Sequence, residues 1–86
     1  MEIEYSAHFR RVYYKLPPAI QRKAERREAI FRSNPFDPRL DTHKLHGKLK
    51  NFHSFSIDSK YRIAFYFLKP KSRVVFLDVG DHDIYR

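Results

Sequence analysis

Lys60 to Leu68 reads Lys-Tyr-Arg-Ile-Ala-Phe-Tyr-Phe-Leu, a nearly unbroken apolar run of strand length. Asp58-Ser59-Lys60 leads into it and Lys69-Pro70-Lys71-Ser72 leads out, so turn-forming residues flank both ends. A run that is apolar on both faces belongs in the middle of a sheet, covered on each side. Everything else in so short a chain has to pack around it. Arg62 interrupts the pattern. A guanidinium keeps its charge on burial and must find acceptors, so an arginine here needs a reason. Two are open: a salt bridge to a nearby aspartate, with Asp78 and Asp81 as candidates, or a phosphate in a cleft, matched to the planar fork of donors.

Eighty-six residues allow one domain, 1–86, with a modest core. Lys and Arg number 18 against 10 Asp and Glu, giving a net charge of +8. That excess points to a polyanionic partner, most simply nucleic acid. Aromatic residues make up 16% of the chain, which sets it apart from a disordered basic tail. The absence of cysteine excludes disulfides, thiolate catalysis and Cys-type zinc sites. Met-Glu-Ile-Glu-Tyr at the start is no signal peptide, and no apolar run approaches a membrane span. The expectation is a soluble cytoplasmic protein with no membrane partner.

Glu2 to Tyr5 alternates, with Ile3 and Tyr5 on one side, and predicts a short first strand. Ser6 can cap a helix in which Phe9, Val12, Tyr13 and Leu16 recur at helical spacing. Pro17-Pro18 ends that helix and can start a second, running to about Arg32. The charge-dense middle of the second helix, Gln21 to Glu28, marks a solvated outer face. Ser33 to Pro38 stops helical structure, and a long loop follows to Gly47. Three meandering strands complete the chain, the first over Lys50 to Ile57. Turns at Asp58-Ser59-Lys60 and Pro70-Lys71 predict a core face of Phe55, Ile57, Tyr61, Ile63, Phe65, Phe67, Val75, Leu77 and Val79. The other face then carries Ser54, Ser56, Arg62, Ala64, Tyr66 and Asp78. The fold class is α+β: an N-terminal strand and an antiparallel helical hairpin packed on a three-to-four-stranded, mainly antiparallel sheet.

The long loop (His43, Lys44, His46), the start of the next strand (Lys48, Lys50) and the tail after Gly80 (His82, Tyr85) converge on Arg62 in this arrangement. Cations hold a phosphate and the charge that develops on it, while imidazoles move protons near neutral pH. The constellation suits phosphodiester chemistry. Plainer roles stand beside it: His53 shares parity with Phe55 and reads as packed, Lys48 and Lys50 as solvated lysines, and His82 as an exposed tail residue. His43, His46, His53 and His82 could be combined into a zinc site, but without Cys or acidic residues at ligand spacing no metal is expected.

Local phrases add a resemblance. Asn34-Pro35-Phe36 closes the second helix and His43-Lys44-Leu45-His46-Gly47 precedes the meander. Tyr61-Arg62-Ile63 opens the central strand, and Val79-Gly80-Asp81-His82 with Ile84-Tyr85 ends the chain. In their order and spacing these phrases resemble the RelE/ParE toxin superfamily over essentially the whole chain. The resemblance implies a type II toxin that cleaves mRNA on the ribosome without metal or small-molecule cofactor, and a cognate antitoxin that blocks its site. By position, Arg62 resembles the arginine that contacts the scissile phosphate. His82 resembles a C-terminal acid or charge stabiliser, His43 a general base, and Tyr85 a terminal tyrosine. Lys44, His46, Lys48 and Lys50 become RNA-binding candidates. The sequence departs from the pattern at Ser56, where some members carry a second histidine, and at Lys60, which aligns with an acidic position of the family. Two other functions fit the same chain: a ParE-like inhibitor of DNA gyrase, and a non-catalytic basic nucleic-acid-binding domain.

Overall fold

A computed structural model of the chain describes residues 1–45, 51–68 and 72–81. Strand β1, Glu2–Tyr5, turns Ile3 and Tyr5 inward and leaves Glu2 and Glu4 exposed. Ser6 then caps helix α1, Ala7–Tyr13. Its Oγ accepts from the Phe9 N–H at 3.0 Å, satisfying a donor that has no partner within the helix. The same hydroxyl donates to the Leu77 carbonyl at 3.0 Å, so the cap also ties the helix to the sheet. Helix α2, Pro18–Ser33, begins with a proline whose missing N–H costs nothing at that position. The Gln21 side-chain amide donates to the carbonyls of Tyr13 and Leu16 at 3.2 and 3.0 Å, closing the corner between the helices.

A 3₁₀ turn at Pro38–Leu40 leads to strand β2, His43–Lys44. Strands β3, His53–Ser56, β4, Tyr61–Phe67, and β5, Arg73–Asp81, follow. Among the described residues the sheet has five strands in the order β1-β5-β4-β3-β2. Only β1 runs parallel to its neighbour; the other pairs are antiparallel. The apolar run is therefore the middle strand, as its two-faced hydrophobicity requires.

Phe31 of α2 is the hub between helix and sheet, with no exposed surface. Its ring lies 4.8 Å from Phe55, 4.9 Å from Phe65 and 5.4 Å from Phe76, centroid to centroid. Phe9, Ala24, Leu40, Ile57, Ile63, Val74 and Val79 complete the buried cluster around it.

Three expectations change. The sheet gains β2, two residues of the predicted loop that pair with Ser54 and His53. The first meander strand is shorter than Lys50 to Ile57, and Lys50 and the Pro70-Lys71 turn lie outside the described residues. On β5 the core residues are Val74, Phe76 and Val79 rather than Val75, Leu77 and Val79. The cause is a bulge: Ala64 pairs with Asp78 and Phe65 with Phe76, so Leu77 is the extra residue and parity reverses across it.

Tyr5 titrates late. Burial raises its pKa from the ordinary 10.0 to about 12, and its hydrogen bond to the Glu28 carboxylate adds to the shift. A folded-state pKa above the unfolded one stabilises below the unfolded value and loses that contribution as pH rises through the folded one. Stability should accordingly fall between pH 10 and about 12 as Tyr5 ionises more readily in the unfolded chain. Tyr5→Phe should flatten this part of the pH–stability curve; an unchanged slope would count against the assignment.

Candidate functional site

The helices cover one face of the sheet. On the other face the antiparallel register sets Ser56 opposite Arg62 and Ser54 opposite Ala64, as the sequence pattern suggested. His43 on β2 pairs with Ser54 and shares that face. Two strand spacings, about 10 Å in all, separate the His43 and Ala64 backbones.

Asp41 links the two candidates. One of its carboxylate oxygens, Oδ2, lies 3.2 Å from Arg62 Nη2, and its carbonyl lies 3.1 Å from His43 Nδ1. A carbonyl can only accept, so Nδ1 carries the proton, and Nε2 is the ring nitrogen left to take one. That is the form a general base needs. Arg62 is largely sheltered, with 23% of its side chain exposed, whereas the Asp41 side chain is 70% exposed. Arg62 Nη1 is buried and has no hydrogen-bond partner among the described residues, and the same holds for Ser54 Oγ. The guanidinium is thus half-committed, with one nitrogen engaged and the other held in the protein.

Arg62 is in a salt bridge, one of the two roles open to it, and lies on the sheet face that carries the serines. Its partner differs from those proposed. Asp78 accepts from the Val79 N–H at 2.8 Å and lies 3.1 Å from His8 Nε2. Asp81 stands opposite Tyr61, with the parity of the other face.

The structure separates other candidates. Lys44 pairs with His53 and so projects to the face opposite His43. His53 packs among Phe36, Phe65 and Phe67 at ring distances of 6.0, 5.5 and 5.4 Å, the packed role expected of it. A zinc site joining His43 and His53 is therefore excluded by the pleat. His46, Lys48, Lys50, His82 and Tyr85 lie outside the described residues.

Two cavities lie elsewhere, and Arg62 lines neither. One of about 300 Å³ sits between the helices and the sheet beside Tyr5, Phe9, Tyr13 and Glu28. Its hydroxyls are engaged, Tyr5 with Glu28 and Tyr13 with the Gln21 carbonyl. The other is an open groove of about 650 Å³ along α2, walled by Lys23, Arg26, Arg27 and Arg39. Two of its cations are paired, Lys23 with Asp58 at 3.5 Å and Arg39 with Asp37 at 2.9 Å. Among the described residues no helix is long and apolar enough to cross a membrane.

No family model matches the sequence, and no curated protein sequence matches it. Solved structures do match in fold. The YoeB/ParE toxin from Agrobacterium tumefaciens superposes with a TM-score of 0.80 at 14% identity, over 95% of this chain and 99% of that one. The archaeal RelE–RelB complex from Pyrococcus horikoshii gives 0.74 at 16% identity, over 93% and 92%. The toxin–antitoxin complex RelBE2 from Mycobacterium tuberculosis gives 0.69 at 25% identity, over 93% and 95%.

Proposed function

We propose, from the RelE/ParE-like toxin fold that this chain has, that it is the toxin of a type II toxin–antitoxin pair and an endoribonuclease acting on mRNA at the ribosome. The observation that carries the reading is the pairing of a half-committed arginine with an oriented imidazole on one sheet face, joined through Asp41. Among the solved structures of similar fold, several are toxin–antitoxin complexes, which supports a cognate antitoxin as partner. The net charge of +8 supports an RNA substrate.

The reaction is attack of a ribose 2′-OH on the adjacent phosphorus. His43 Nε2 takes the hydroxyl proton and His82 returns one to the departing 5′-oxygen. Arg62 and a lysine, Lys48 or Lys50, balance the charge on the pentavalent phosphorus. His46 and Tyr85 contribute to holding the RNA. Lys44, on the other face, can reach only RNA that wraps the sheet edge. Each step uses side chains alone, so no cofactor is required. A positioned acid or base contributes about 10²–10⁴-fold to such a reaction.

Single-turnover cleavage on programmed ribosomes tests this. The rate should follow a bell-shaped pH profile, and His43→Gln and His82→Gln should each lower it at least about tenfold with ribosome affinity little changed. His53→Gln, which alters a packed residue on the other face, should leave the limbs of the profile in place. Added antitoxin should stop the reaction. Toxicity that persists in both histidine variants, with mRNA left intact, would point instead to gyrase inhibition.

A further inference from the structure

We propose that Asp41 is a gate on Arg62, an internal carboxylate that stands where a substrate phosphate oxygen would stand and is displaced when the polyanion binds. Arg62 as phosphate ligand is taken from the function proposed above.

The backbone at Asp41 is built for the purpose. With φ 51° and ψ 45° it is left-handed, the one non-glycine residue with positive φ among those described. Asp and Asn tolerate this conformation better than other side chains do. Anchors on both sides hold it there. Leu40 is fully buried, and the Asp41 N–H donates to the Pro38 carbonyl at 3.3 Å. Asp37 accepts from the Arg39 N–H at 2.9 Å, and the Thr42 hydroxyl donates to the Pro35 carbonyl. A rigid strap therefore places the carboxylate over Arg62.

The contact itself is weak enough to exchange. It is a single N–H to oxygen approach of 3.2 Å from a carboxylate that is 70% exposed. With its acidic partner open to water, such a pair contributes only modestly to stability. Arginine binds phosphate best with two parallel N–H donors, and Arg62 Nη1 has no hydrogen-bond partner among the described residues. A phosphodiester can use both nitrogens where Asp41 uses one. His43 is held by the Asp41 carbonyl and not by its carboxylate, so displacement of the carboxylate leaves the imidazole oriented. The gate makes a lone phosphate compete with Asp41 for Arg62. RNA with further contacts along its backbone offsets that competition. The cost is common to both ligands, so the gate keeps free phosphate off Arg62 at concentrations where RNA, held through further contacts, still binds.

The test uses an all-DNA trinucleotide, which has no 2′-OH and cannot be cleaved, titrated into the chain at fixed salt. Asp41→Asn keeps the left-handed backbone and the carbonyl and replaces the charged acceptor by a neutral amide. It should tighten binding about threefold to fivefold, the range expected for loss of one exposed competing ion pair. Glu25→Gln makes the same charge change on α2 and should not tighten binding. In an Arg62→Gln background the Asp41→Asn effect should vanish. Asp41→Gly also accepts the left-handed backbone, so agreement between the two variants guards against a folding artefact. Unchanged or weaker binding, equal tightening by Glu25→Gln, or tightening that survives loss of Arg62 would each overturn the gate. Tightening as expected in a protein that cuts no RNA would uphold the gate and overturn the proposed reaction.

Discussion

Arg62→Ala is expected to lower single-turnover RNA cleavage by about 10²–10³-fold, the usual cost of removing a group that meets charge developing in the transition state. Folding should be nearly unaffected. The only ion-pair partner of Arg62 among the described residues is Asp41, and with 70% of that side chain exposed its loss strands no buried carboxylate. The change in stability should stay within about 1 kcal/mol, or a few degrees in Tm for a domain of this size. A fully buried pair would behave otherwise, since removing one partner costs about 3–5 kcal/mol. Thermal unfolding of the purified variant separates these outcomes. A loss of that larger size, or cleavage at the wild-type rate, would remove Arg62 from the site.

Phe31→Ala should have the largest effect on folding. The side chain has no exposed surface and meets the rings of Phe55, Phe65 and Phe76 within 5.4 Å, centroid to centroid. Truncating a buried phenylalanine costs about 3–5 kcal/mol, partly for lost transfer energy and partly for the cavity left behind. At about 0.05–0.15 kcal/mol per residue, an 86-residue domain has only about 4–13 kcal/mol to lose. Chemical denaturation should show a midpoint displaced far toward zero denaturant, or a chain unfolded without any. A shift smaller than about 1 kcal/mol would mean that Phe31 is not the hub of the core. Phe31→Leu, which keeps most of the volume, should recover much of the loss.

Much of the fold was legible because its signals are local. The Ser6 cap, the Pro17-Pro18 break and the alternation of Glu2 to Tyr5 each depend on a few neighbouring residues. So does the two-faced apolar run of β4, which predicted the central strand. The bulge at Leu77 was not legible, because Val74 to Leu77 is apolar at every position and fits either parity. Only the pairing with Ala64 and Phe65 shows that one residue is extra. Strand β2 escaped for a similar reason: two exposed residues carry no hydrophobic period, and their partner strand defines them. At the site, parity correctly put Arg62 with the serines. It could not find Asp41, which lies 21 positions away and reaches Arg62 through a left-handed turn.

The chemistry at Arg62 and His43 is tested most directly by the ends of the RNA fragments made on programmed ribosomes. Attack by a neighbouring 2′-OH leaves a 2′,3′-cyclic phosphate on the upstream fragment and a 5′-hydroxyl on the downstream one. Those ends are the predicted result with the wild-type protein, at a rate that falls at least about tenfold in His43→Gln. Fragments ending in 3′-hydroxyl and 5′-phosphate, or mRNA that stays intact, would contradict the proposed reaction.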